Sequence, residues 1–158
     1  MKTHVTFLTA LIAGVIAIGS AVALADDDGG GGKVVISTPL APAAIGPYSQ
    51  AIRVGRTVYL SGQIAIDPTT NTFNSNASIE DQTHRALENL TGVLTAAGLR
   101  LDDVVSTTVY LTDLNDFAKM NQVYATFFTS GPPARATIQV AGIPRNAKVE
   151  ISAIAVAP

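Results

Sequence analysis

The chain has no cysteine, no tryptophan and only two histidines in 158 residues. Without a thiol there is no disulfide, no thiolate nucleophile and no cysteine-ligated metal. The histidines do not fill that gap. His4 lies in the N-terminal segment, just ahead of an apolar run, and His84 stands alone in a helical pattern, so no cluster with metal-ligand spacing arises. Serine is plentiful, but Ser61-Gly62-Gln63 is not a nucleophile elbow, and no histidine is placed by motif to activate it. Charge is scarce too: 14% of residues are charged, against roughly 25% in ordinary soluble domains. No basic run occurs, and the glycine fingerprint of a dinucleotide fold is missing.

Part of the charge shortage is local. After Lys2 the segment from Val5 to Ala25 is uncharged, closes on Ala23-Leu24-Ala25 and is followed by Asp26-Asp27-Asp28. That small-x-small ending predicts a cleaved secretory signal over residues 1–25 and an exported protein, periplasmic or secreted. The alternative is an uncleaved anchor helix, because the run approaches the ~20 residues that span a bilayer. No cysteine follows the run, which excludes lipid attachment through one. Cleavage removes Lys2 and no acid, leaving nine basic and twelve acidic residues and a formal charge of −3. Such a balance offers nothing to nucleic acid, and after cleavage no membrane association is expected. Residues 26–33, acidic and then glycine-only, read as a flexible linker, with the folded domain over 34–158.

The domain alternates between two periods. Val34 to Ser37 reads as a strand, followed by a proline- and alanine-rich turn from Thr38 to Pro47. Ala51–Val54 and Thr57–Ser61 read as a hairpin turning at Gly55-Arg56, and the short run Ile64-Ala65-Ile66 ends at the turn signal Asp67-Pro68. Ser78, with Asp81 three residues on, caps a helix whose apolar residues Ile79, Ala86, Leu87, Leu90, Val93, Leu94 and Ala97 recur at helical spacing until Gly98. From Val104 to Leu111, Val105, Thr107, Val109 and Leu111 alternate with Ser106, Thr108 and Tyr110, a strand with one buried face. A second helix is predicted from about Asn115 to Phe128, then an extended run from Thr137 to Val140. Lys148 to Val156 closes the chain as a strand apolar enough to be central. The order β-β-β-α-β-α-β-β predicts an α+β domain with two helices on one face of a mixed sheet.

Four residues stand out chemically. Arg135 follows Pro132-Pro133 at the entry to the extended run, a stiff mount for a planar fork that grips carboxylate or phosphate through paired hydrogen bonds; the alternative is a surface arginine after a loop. Asn121 falls amid Phe117, Met120, Tyr124 and Phe128 on the second helix, either as a satisfied structural amide or as a side chain pointing into a pocket. Glu150 shares its strand face with Ser152, Ile154 and Val156; burial would raise its pKa and suit it to orient water, whereas an edge position would leave it solvated. Tyr48 follows Gly46-Pro47, as a packing lid or as the hydroxyl closing a small polar pocket.

Five segments in register resemble the RidA family, also called the YjgF/YER057c/UK114 family. They are Ala41 to Ala51 (APAAIGPYSQA), Ser61 to Ile64 (SGQI), Thr107 to Leu114 (TTVYLTDL), Asn121 to Tyr124 (NQVY) and Pro133 to Thr137 (PARAT). The resemblance spans roughly Ser37 to Val156. It implies a chorismate-mutase-like α+β fold and a homotrimer whose sheets line a central barrel with the helices outside. Active sites would sit in the clefts between subunits. It further implies hydrolysis of reactive enamine and imine acids, such as 2-iminopropanoate and 2-iminobutanoate, to 2-oxo acids and ammonia, without cofactor or metal. By the same resemblance Arg135 clamps the substrate carboxylate, while Tyr48, Ser61 and Asn121 line the pocket. Gly62 lets the backbone approach the ligand, and Glu150 helps to position the hydrolytic water. Thr137 stands where many members carry cysteine. The implied ligand is a small carboxylate-bearing imine. The alternatives are a non-catalytic carboxylate-binding module, or a holdase-like or ribonuclease activity; the acidic charge and the export signal weigh against the last.

Overall fold

The computed structural model describes residues 32–158. The expected signal over 1–25, and the linker apart from Gly32 and Lys33, lie outside the described residues. Strands and helices follow in the expected order: β1 (Val34–Ile36), β2 (Ala51–Val54), β3 (Thr57–Gln63), α1 (Ile79–Ala96), β4 (Val104–Leu111), α2 (Phe117–Phe127), β5 (Ala134–Gln139) and β6 (Val149–Val156). The six strands form one sheet in the order β1-β2-β3-β6-β4-β5. β4 and β5 run parallel and every other pair is antiparallel. β6 is central, as its apolar content requires. Among the described residues no helix is long and apolar enough to cross a membrane.

The ends of α1 are set by local chemistry. Ser78 Oγ accepts from the Asp81 amide at 3.0 Å, satisfying one of the unpaired amides of the first turn. At the other end Gly98 adopts φ +70°, its amide donating to the Thr95 carbonyl and that of Leu99 to the Leu94 carbonyl, both at 2.9 Å. That is a Schellman stop, with Leu99 buried behind it. Arg53 on β2 also donates to the carbonyl of Ala97.

Between the helices and the sheet lies the core. Leu87, Leu90, Val93 and Leu94 of α1, with Met120 and Tyr124 of α2, meet Val58, Leu60, Val109, Leu111, Val149, Ile151, Ala153 and Ala155. Gly92 faces the loop between β1 and β2: a Cβ there would sit 2.4 Å from the backbone oxygen of Leu40. Backbone gives way less easily than a side-chain tip. Gly92→Ala is therefore expected to lower stability by about 1–3 kcal/mol despite the better helix propensity of alanine, as read by urea denaturation. A neutral or stabilising result would mean that the loop yields.

Two local features depart from the sequence pattern. Val105 does not join the buried face: it is 48% exposed, whereas Val104 is 5% exposed. Val104 pairs with Ala155 but Ser106 with Ile154, so Val105 is the extra residue of a β-bulge that resets the alternation. Ile64–Ile66 stays outside the ladder. The amide of Asn89 on α1 donates to the carbonyls of both Ile64 and Ile66 at 2.9 Å, tying this segment to the helix.

The second face of the sheet carries no helix. Rows of paired residues cross it, Tyr59–Ile154–Ser106, Ser152–Thr108–Ala136 and Glu150–Tyr110–Ile138. Tyr59 and Ile138 are 50% and 46% exposed. A small second core of Ile64, Ile66, Ile143 and Ala147 packs against Tyr110.

Candidate active site

The chemistry-bearing residues fall into two groups. The first is built where β5 meets α2. Arg135 and Thr137 pair with Thr107 and Val109 of the parallel neighbour β4, both buried, and so project toward the helices. Asn121 Oδ1 accepts a 2.7 Å hydrogen bond from Arg135 Nη2. The guanidinium carbon lies 4.5 Å from the Tyr124 ring centre and 5.8 Å from that of Phe117. Ala125, Phe128, Pro132 and Pro133 complete an open cleft of about 460 Å³ around these groups. Asn121 is therefore no buried structural amide; it orients the arginine. Beside them Thr137 Oγ1 is buried without a hydrogen-bond partner. Such a group is costly unless something else binds it.

The second group lies on the uncovered face. Between Leu60–Ala153 and Gln63–Ile151, β3 advances three residues while β6 advances two, a bulge at Ser61-Gly62. The side chain of Glu150 fills the space over Gly62: a Cβ there would fall 1.8 Å from Glu150 Oε1 and 2.6 Å from its Cδ. Only glycine leaves this seat open. Desolvation raises the Glu150 pKa above the usual carboxylate value. Ser61 Oγ donates to the Ser49 carbonyl at 2.7 Å, fastening the bulge to the preceding loop. Tyr48 sits on that loop with its hydroxyl 3.2 Å from the Ile45 amide, which donates to it. With Pro42, Ala43 and Gly62 it walls a small pocket.

Gln50 is the residue that sequence reasoning missed. Its Nε2 donates to the carbonyls of Thr38, Ala41 and Pro42, and its Oε1 accepts from the Thr38 amide at 2.6 Å. One buried side chain thereby shapes the loop that carries Tyr48. The one signal for it in the sequence is its place in Tyr48-Ser49-Gln50, between a proline turn and a strand. His84, in contrast, is a surface residue, 3.6 Å from Glu88 and edge-on to Phe127. Among the described residues no three His, Asp or Glu stand close enough to hold a metal.

Arg135 and Glu150 thus project from opposite faces of one sheet. The family profile described as Endoribonuclease L-PSP matches residues 38–157. The chain belongs to the RidA family. Its relatives include a mouse protein named 2-iminobutanoate/2-iminopropanoate deaminase, 52% identical over 124 residues, which are 78% of this chain and 91% of that protein. An Arabidopsis thaliana protein named Reactive Intermediate Deaminase A, chloroplastic, is 50% identical over 78% of this chain and 65% of its own length. Among solved structures, Escherichia coli TdcF with bound serine superposes with a TM-score of 0.76 at 44% identity, covering 79% of this chain and 99% of that one. RidA from the Antarctic bacterium Psychrobacter gives 0.75 at 44% identity, over 78% and 98%. The helix-on-one-face α+β architecture of this RidA-family chain is the one expected from its sequence.

Proposed function

We propose that the protein is an exported, cofactor-independent imine deaminase that hydrolyses 2-imino acids such as 2-iminopropanoate to 2-oxo acids and ammonia. Arg135, held by Asn121 at the edge of an open cleft, is the observation that carries this reading, because it offers a planar fork to a small carboxylate. Family membership and the relatives named as deaminases support it. The uncovered sheet face is the surface on which three copies would associate, and association would bring the Glu150 half-site of one subunit to the Arg135 half-site of the next.

The chemistry asks little of the protein. An iminium carbon is already electrophilic, so catalysis reduces to placement of substrate and water. Arg135 holds the substrate carboxylate. Glu150 takes a proton from water as its oxygen bonds to C2 and the C=N pair moves to nitrogen, giving a carbinolamine. It returns that proton to nitrogen, and as the C–N bond breaks the carbinol hydroxyl gives its own proton to Glu150 and becomes the C=O. The departing ammonia takes that proton as ammonium, so the carboxylate is regenerated as the 2-oxo acid leaves. Export places this reaction beside an extracytoplasmic source of imines, such as an amino-acid oxidase.

The test uses an amino-acid oxidase acting on alanine, with semicarbazide trapping the imine released. Purified protein is expected to suppress trapping and to lose that effect on Arg135→Ala. An unaltered trapping yield with the oligomer intact would leave a carboxylate-binding module in place of the enzyme.

A further inference from the structure

Arg135 is held by more than its bond to Asn121. Thr107 and Arg135 are paired residues of the parallel strands β4 and β5, both facing α2. Tyr124 spans the two. Its hydroxyl shares a 2.7 Å hydrogen bond with Thr107 Oγ1, and its ring lies against the Arg135 guanidinium. Thr107 is 2% exposed and Tyr124 5%, so the hydroxyl pair satisfies itself away from water and holds the far end of the ring in place. Phe117 offers a second, more distant ring from the same helix face.

We propose that Tyr124 is a positioning residue: its ring fixes the plane of the Arg135 guanidinium, so that the cleft selects carboxylates presented edge-on to that plane. This rests on the carboxylate-clamp reading above. β5 is an edge strand and Arg135 is exposed, so an unsupported arginine there would lose much of its rotamer freedom on binding. A ring face attracts the cation through its quadrupole. With that face covered and one Nη2 proton given to Asn121, the remaining N–H groups lie in the guanidinium plane, where a carboxylate accepts them in parallel. Burial raises the Tyr124 pKa, with its bond to Thr107 and the Arg135 charge pulling the other way. The phenol therefore stays neutral at physiological pH and leaves the arginine's charge to the ligand.

The experiment is an NMR titration with pyruvate, a 2-oxo carboxylate with no C=N bond to hydrolyse. It compares the wild type with Arg135→Ala, Tyr124→Phe, Tyr124→Leu and a chain carrying 3,4,5-trifluorophenylalanine at position 124. Tyr124→Phe is expected to bind within about twofold of wild type, the trifluorinated ring about fivefold more weakly and Tyr124→Leu about tenfold more weakly. The fluorinated ring keeps its shape and loses its negative face, so affinity equal to Tyr124→Phe would overturn the proposal. That comparison decides even if Tyr124→Leu does not fold. Binding that needs Arg135 but ignores Tyr124 would overturn the platform and leave the clamp standing. Absent binding, or binding indifferent to Arg135, would remove both.

Discussion

Arg135→Ala is expected to cut kcat/KM for 2-iminopropanoate by about a hundredfold or more while leaving the unfolding midpoint almost unmoved. Truncating one partner of a desolvated, hydrogen-bonded charge pair costs about 2–5 kcal/mol, and each 1.4 kcal/mol is about tenfold. The stability side follows from position. Arg135 is exposed on an edge strand with Asn121 as its hydrogen-bond partner, so its removal should change folding by about 0.5 kcal/mol or less. Arg135→Lys keeps the charge but not the fork and should recover only part of the loss. Steady-state kinetics beside urea denaturation reads both numbers. Full activity in the alanine variant would refute the clamp, and an unfolded variant would make Arg135 structural.

Glu150→Gln should lower kcat by about 10²–10⁴-fold with pyruvate affinity nearly intact. The split separates an enzyme from a binding module, since only hydrolysis needs the carboxylate. The pH profile gives a second mark. Glu150 faces Tyr110 across β4 and the bare backbone of Gly62 on β3, and desolvation raises its pKa. Proton abstraction needs the ionised form, so kcat should climb with pH through that raised value, and this limb should vanish in Glu150→Gln. Stability moves the other way. The native state keeps the proton to higher pH than the unfolded chain does, so stability falls as pH rises from the ordinary glutamate pKa through the raised one. Glutamine at 150 removes that slope. Mixing Arg135→Ala and Glu150→Gln subunits one to one should restore about a quarter of the sites if each is shared between neighbours in a ring.

Residues whose role is local were legible from sequence. Ser78, Gly98 and the helical recurrence of Leu87, Leu90 and Leu94 fixed α1, and the alternation of Val149 through Val156 placed Glu150 opposite the core. Arg135 and Asn121 were each singled out, but their bond depends on the packing of α2 over β5, fourteen positions along the chain. Register was the harder matter. The bulge at Val105 and the one at Ser61-Gly62 arise from pairing with β6, which no single-strand pattern encodes. The role of Gln50 was hidden for the same reason, beyond its place between a proline turn and a strand: its three acceptors are brought together only by the loop it organises.

A sheet that carries half of the chemistry on each side has a consequence for heat tolerance. If each site is completed by a neighbouring subunit as proposed, a lone subunit has Arg135 without a Glu150 to face it, and warming is expected to abolish catalysis when the subunits part. Dissociation obeys mass action. The temperature at which activity disappears should therefore rise with protein concentration, while the unfolding of each chain marks a second, higher threshold. Between the two, cooling should restore activity at a rate set by how often subunits meet.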